Sequence, residues 1–184
     1  LLWDPHPPRD LELLNVETGE IQTVRKAHDV GAGWITRAYE GRPKSIFFPV
    51  LSPDLTRVFF KMAAPAGGIA RSSKASDRQG LICYDLAARR ILYHTTNWGH
   101  PAWHPDSRTI LEKGYRLFDS DTGRSQRIPE LPGPRVDHPS FSPDGRLIVT
   151  DSTLEPFGGA ANEWGIVVAD ARGSNYVVIH KFDN

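Results

Sequence analysis

Three stretches of this chain align without a gap: Phe48-Pro49-Val50-Leu51-Ser52-Pro53-Asp54, His100-Pro101-Ala102-Trp103-His104-Pro105-Asp106 and His138-Pro139-Ser140-Phe141-Ser142-Pro143-Asp144. Internal repetition at such a period restricts the fold more than any other feature, because each copy must be one supersecondary unit stacked on the next. Each stretch ends in a turn whose proline presets φ and whose aspartate bonds to the backbone just ahead of it. A short β-type run follows each turn: Arg57 to Lys61, Arg108 to Glu112 and Arg146 to Thr150.

A second set of segments interleaves with the first: Leu11 to Asn15, Leu81 to Asp85, Tyr115 to Asp119 and Gly165 to Asp170. Each closes on Asn or Asp, passes a turn such as Glu17-Thr18-Gly19 or Asp121-Thr122-Gly123, and enters another β-type run. These last runs are Glu20 to Val24, Arg90 to His94, Ser125 to Ile128 and Asn175 to His180. The reading is therefore four short strands per unit, with Pro53, Pro105 and Pro143 marking the period. No stretch sustains a 3.6-residue apolar period, so little helix is expected.

Four antiparallel strands per repeat identify an all-β fold, a β-propeller. A β-sandwich is the rival, but it would not repeat the same four-strand punctuation. With strands named A to D outward from the channel, the chain supplies strands C and D of one blade and three whole blades. The expected blade parts are residues 1–46, 47–99, 100–137 and 138–184 of a single propeller segment, about three and a half blades. Propellers close at about four to eight blades. The chain also opens on Leu1 rather than Met. The natural polypeptide is thus expected to be longer.

Strand order places the A–B and C–D turns on one face and the B–C and D–A connections on the other. The first kind is short throughout. The irregular length is concentrated in the second: Arg25 to Ile46, Ala63 to Gly80, Thr95 to Gly99, Pro129 to Asp137 and Ser152 to Trp164. Long loops on one side of a rigid repeat are where binding residues are usually carried.

On that face His100 and His138 hold the same repeat position in consecutive blades and enter strand A beside the channel mouth. Two converging imidazoles suit a divalent metal or an anionic substrate; the bland reading is a His-Pro strand entrance bonded to a loop. Phe48 at the equivalent position means that the fold itself does not demand histidine there. Arg135, Arg71 and Arg78 offer guanidinium forks for a carboxylate, and Trp98 offers a face for a sugar ring or a wedge between blades. Asn97, Asp137 and Asp151 are candidate oxygen ligands. His104 replaces a turn serine and is expected to serve the turn on the opposite face; His94 and His180 are read as structural. His6 is placed in a B–C connection within reach of the long-loop face, and His28 in a long loop.

Composition removes several functions. Lys+Arg and Asp+Glu both number 22, without a basic run, which argues against a nucleic-acid partner. No apolar stretch approaches the roughly 18 residues that span a bilayer, so a membrane partner is not expected. The expected compartment is that of a soluble protein, cytoplasmic or periplasmic. Cys83, the only cysteine, excludes an internal disulfide and lies in an apolar run that fits a core position.

The run from His138 to Arg146, with Gly99-His100-Pro101-Ala102-Trp103 before it, resembles TolB-like propellers and, through its paired His-Pro entrances, the oligogalacturonate lyase-like branch. That resemblance implies a seven-bladed propeller cleaving uronate-containing oligosaccharides by β-elimination, as a polysaccharide lyase. It implies a divalent metal cofactor, manganese or calcium, with His100 and His138 at metal-ligand positions. Arg135, Arg71 and Trp98 would then meet the substrate. The chain departs from the pattern in having no His-x-His pair, and no residue is identified as the catalytic base. The competing expectation is a non-catalytic TolB-like platform that binds a protein or glycan.

Overall fold

The computed structural model describes residues 10–26, 29, 45–63, 78–95, 99–112, 114–128 and 138–182. It is nearly all β, in four antiparallel sheets. One sheet has two strands, β1 (Leu11–Leu14) and β2 (Ile21–Arg25). The second runs in order through β3 (Ser45–Leu51), β4 (Arg57–Ala63), β5 (Arg78–Asp85) and β6 (Arg90–Thr95). The third contains β7 (Ala102–Trp103), β8 (Thr109–Glu112), β9 (Arg116–Asp119) and β10 (Ser125–Arg127). The fourth contains β11 (Ser140–Phe141), β12 (Leu147–Thr153), β13 (Trp164–Asp170) and β14 (Val177–Phe182). The expected pattern, two strands of one blade followed by three four-stranded blades, is what the chain forms.

Boundaries differ in detail. Strand β3 starts at Ser45, ahead of the expected division between 46 and 47. Strand β5 starts at Arg78, which therefore belongs to a strand and not to the long insertion. Strand β12 continues to Thr153 and β14 to Phe182. In each case pairing with the neighbouring strand carries the ladder past the point where turn-forming residues begin; Thr153, for example, pairs with Trp164.

The chain divides into two compact units, Leu1–Pro49 with Val58–Trp98, and Val50–Arg57 with Gly99–Asn184. In the first, Leu11 of the half blade packs with Ile46, Val58, Phe60, Met62, Ile82 and Tyr84. Strand β4 is buried from Val58 to Met62, as suits a strand flanked by β3 and β5 in its sheet. Cys83 is buried in β5.

In the second unit, Leu111, Tyr115 and Ile128 of one blade meet Ile148 and Ala169 of the next. Burial of such a side chain is worth about 1.5–3 kcal/mol, so the stacking of these two blades contributes to the cohesion of the unit. On the short-turn face, Arg57 joins the next blade through Ser120 Oγ at 2.5 Å and Asp121 at 2.6 Å.

The turns follow the repeat. Ser52, His104 and Ser142 each donate a backbone N–H five residues ahead, to Arg57, Thr109 and Leu147. The residue after the turn aspartate takes a left-handed φ: 62° at Leu55, 58° at Ser107 and 72° at Gly145. At the outer turns, Asn15, Asp119 and Asp170 accept backbone N–H groups two residues ahead and farther on. This is why the second repeat ends on Asn or Asp.

Candidate functional site

Both candidate histidines precede a proline, which drives the preceding residue into extended backbone and so carries each straight into an A strand, β7 or β11. Within the second unit the two rings meet, with centroids 4.4 Å apart and planes inclined by 38°. They border an open cleft of about 480 Å³, lined also by Val50, Leu51, Trp103, Pro139 and Ser140. The Trp103 indole fixes one wall by donating to the Val50 carbonyl at 2.9 Å.

The register of the last blade decides what stands beside His138. Ser140 pairs with Val149 and Phe141 with Ile148, so extending the ladder by two residues brings Asp151 of β12 opposite His138. Its carboxylate faces two nitrogens of His138: Oδ1 accepts the backbone N–H at 2.8 Å, and Oδ2 lies 2.8 Å from the ring Nδ1. The His138 side chain is 60% exposed and that of Asp151 22%. The ion-pair component is therefore screened, and orientation is the larger consequence.

Tyr115 of the preceding blade is fully buried and held at φ 54°. Burial raises its phenol pKa; the Ser152 hydroxyl opposes that shift, while the nearby Asp151 charge adds to it. The cluster Tyr115, Ser152, Asp151, His138 and His100 thus combines side chains of two consecutive blades.

Asp151, a candidate oxygen ligand by sequence, instead uses both oxygens to hold His138. Counting back across the hairpin from Ser142-Pro143-Asp144-Gly145 would have found that relation. The repeat gives a second clue, since the equivalents of Asp151 are Lys61 and Lys113. The burial of Tyr115 has no comparable signal.

His104 serves its turn as expected: Nδ1 accepts the Asp106 N–H at 3.1 Å and the ring lies edge-on to Phe141 at 4.8 Å. His180 stacks on Phe182 at 6.2 Å, and His94 pairs with Ile82 in the sheet. Arg71, Arg135, Trp98, Asn97, Asp137, His6 and His28 lie outside the described residues. Among the described residues no group of three or more His, Cys, Asp or Glu side chains is placed to hold a metal ion, and no helix is long and apolar enough to cross a membrane.

Repeated four-stranded antiparallel sheets define the class: a partial β-propeller whose candidate site lies at the strand entrances of the second unit. Solved structures of like fold include TolB from Acinetobacter baumannii, with 16% identity and a TM-score of 0.56 over 92% of this chain and 37% of that one. They also include an oligogalacturonate lyase in complex with manganese, with 15% identity and a TM-score of 0.60 over 95% of this chain and 48% of that one. A third is the oligogalacturonate lyase of Vibrio parahaemolyticus, with 15% identity and a TM-score of 0.59 over 94% and 48%. At such identities the likeness is one of fold, and this chain spans less than half the length of each. No family model matches the sequence, and no curated protein does.

Proposed function

We propose that this chain contributes the working end of a propeller that cleaves uronate-containing oligosaccharides by β-elimination, with His100 and His138 as two ligands of a divalent cation. The observation that carries the reading is the meeting of the two imidazoles at 4.4 Å beside an open cleft. The likeness in fold to oligogalacturonate lyases, one of them in complex with manganese, lends support.

The residues fit part of such a centre. With Nδ1 of His138 engaged by Asp151, Nε2 is left to offer a lone pair, as an imidazole ligand must. The pair supplies two positions, and the described residues add no third. A bound cation would neutralise the uronate carboxylate and so acidify the adjacent C5 proton. The cleft walls, Val50, Leu51 and Pro139, would seat a sugar ring and limit water around it. Arg71 and Arg135 are assigned to the substrate carboxylate and Trp98 to the sugar face.

The test is incubation of the full-length protein with manganese and a panel of uronate oligosaccharides, following the absorbance of the unsaturated product. Product is expected from the wild type, with loss of at least a hundredfold in His100→Ala and His138→Ala. No absorbance across the panel would overturn the reading. The rival, a non-catalytic docking platform, is favoured by the lack of a third ligand among the described residues. It predicts metal-free protein and partner binding indifferent to both substitutions.

A further inference from the structure

We propose that Asp151 is a positioning residue that fixes the tautomer of His138, placing the ring proton on Nδ1 and keeping Nε2 as the acceptor or ligand nitrogen. The inference rests on the reading of His138 as a site residue, but it concerns only this chain's own atoms.

The argument is one of donor and acceptor accounting around a single carboxylate. Oδ1 of Asp151 is 2.8 Å from the His138 backbone nitrogen, a group that can only donate. Oδ2 is 2.8 Å from Nδ1, and an ionised carboxylate can only accept. In the neutral ring, therefore, Nδ1 carries the hydrogen and Nε2 the lone pair. The arrangement is set by the sheet, because Asp151 stands in β12 opposite the lead-in to β11. A ring restrained along one edge and laid against His100 at 4.4 Å presents one defined nitrogen. A carboxylate partner of this kind commonly orients a ligand or catalytic histidine and sets its tautomer.

The nearly isosteric Asp151→Asn should invert the tautomer without removing the side chain. The backbone N–H of His138 still requires an acceptor, so the amide oxygen stays with it. The amide NH2 then falls opposite Nδ1 and donates to it, which moves the ring hydrogen to Nε2.

The experiment uses full-length protein with ¹⁵N-labelled histidine at about pH 8.5, well above the usual imidazole pKa near 6.5. Long-range ¹H–¹⁵N spectra report which ring nitrogen is protonated, and a His138→Asn variant assigns the signal. The expected result is Nδ1–H in the wild type and Nε2–H in Asp151→Asn. An Nε2–H wild type, or the same tautomer in both proteins, would overturn the inference, and the wild-type spectrum tests it even if the variant fails to fold. Binding of Mn²⁺ alone, followed by paramagnetic resonance, is expected to weaken at least tenfold in Asp151→Asn. A wild type that binds no Mn²⁺ would count against the metal reading of the site and leave the tautomer result standing.

Discussion

His104 occupies the space that a side chain at Gly145 would need. The imidazole lies across the turn of the following blade, edge-on to Phe141 at 4.8 Å and 90°, and a Cβ built on Gly145 runs into its ring. Gly145 also has φ 72°. Gly145→Ala therefore combines left-handed strain, about 1–2 kcal/mol, with displacement of the ring. A loss of about 2 kcal/mol is expected in thermal or denaturant unfolding. Adding His104→Ser, the residue type at the other two repeats, should recover part of that loss in a double-mutant cycle. Strict additivity would show that the ring contact contributes nothing.

Leu55 holds the position equivalent to Gly145, with φ 62° and 66% of its surface exposed. Leu55→Gly removes left-handed strain at the cost of about 0.5–1 kcal/mol of backbone entropy. The net expectation is a gain of roughly 0.5 kcal/mol and a melting temperature higher by about 1–2 °C. A lower melting temperature would mean that the exposed leucine makes packing contacts worth more than the strain.

The turn aspartates confer a defined acid sensitivity. The Ser142 hydroxyl and the Arg146 backbone N–H and guanidinium hold Asp144 well below the usual carboxylate range. The Ser52 hydroxyl and the Thr56 N–H lower Asp54. Burial acts to raise Asp106, but the N–H groups of Thr109 and Arg108 outweigh it. A carboxyl with a depressed folded pKa stabilises the fold fully above its unfolded value near 3.8, and that contribution is lost as pH falls through the folded value. These groups should leave the melting temperature level from pH 8 to 5 and lower it progressively below about pH 4. Asp144→Asn should be less stable at pH 7 and show a shallower acid slope. Parallel curves for the two proteins would exclude the turn carboxylate as a contributor.

Much of the site was legible in the chain because a repeat converts sequence position into spatial position. His100 and His138 share one column of the repeat, and consecutive blades put one column side by side. In the sequence Asp151 is only a candidate oxygen ligand, because its partner is chosen by hairpin register and not by spacing along the chain. The sequence shows Tyr115 only as the first residue of a β-type run, since its burial against Ile148 and Ala169 depends on the stacking of two blades.

Repetition and turn chemistry by themselves determined the four-strand blade and its strand order, because these are local consequences of short β-type runs separated by residues that preset φ. Only the tertiary structure decided that one carboxylate would meet two nitrogens of His138 and that one imidazole would close over Gly145. Both relations join residues from different strands or blades, and their distances are fixed by register and stacking, which no single segment encodes.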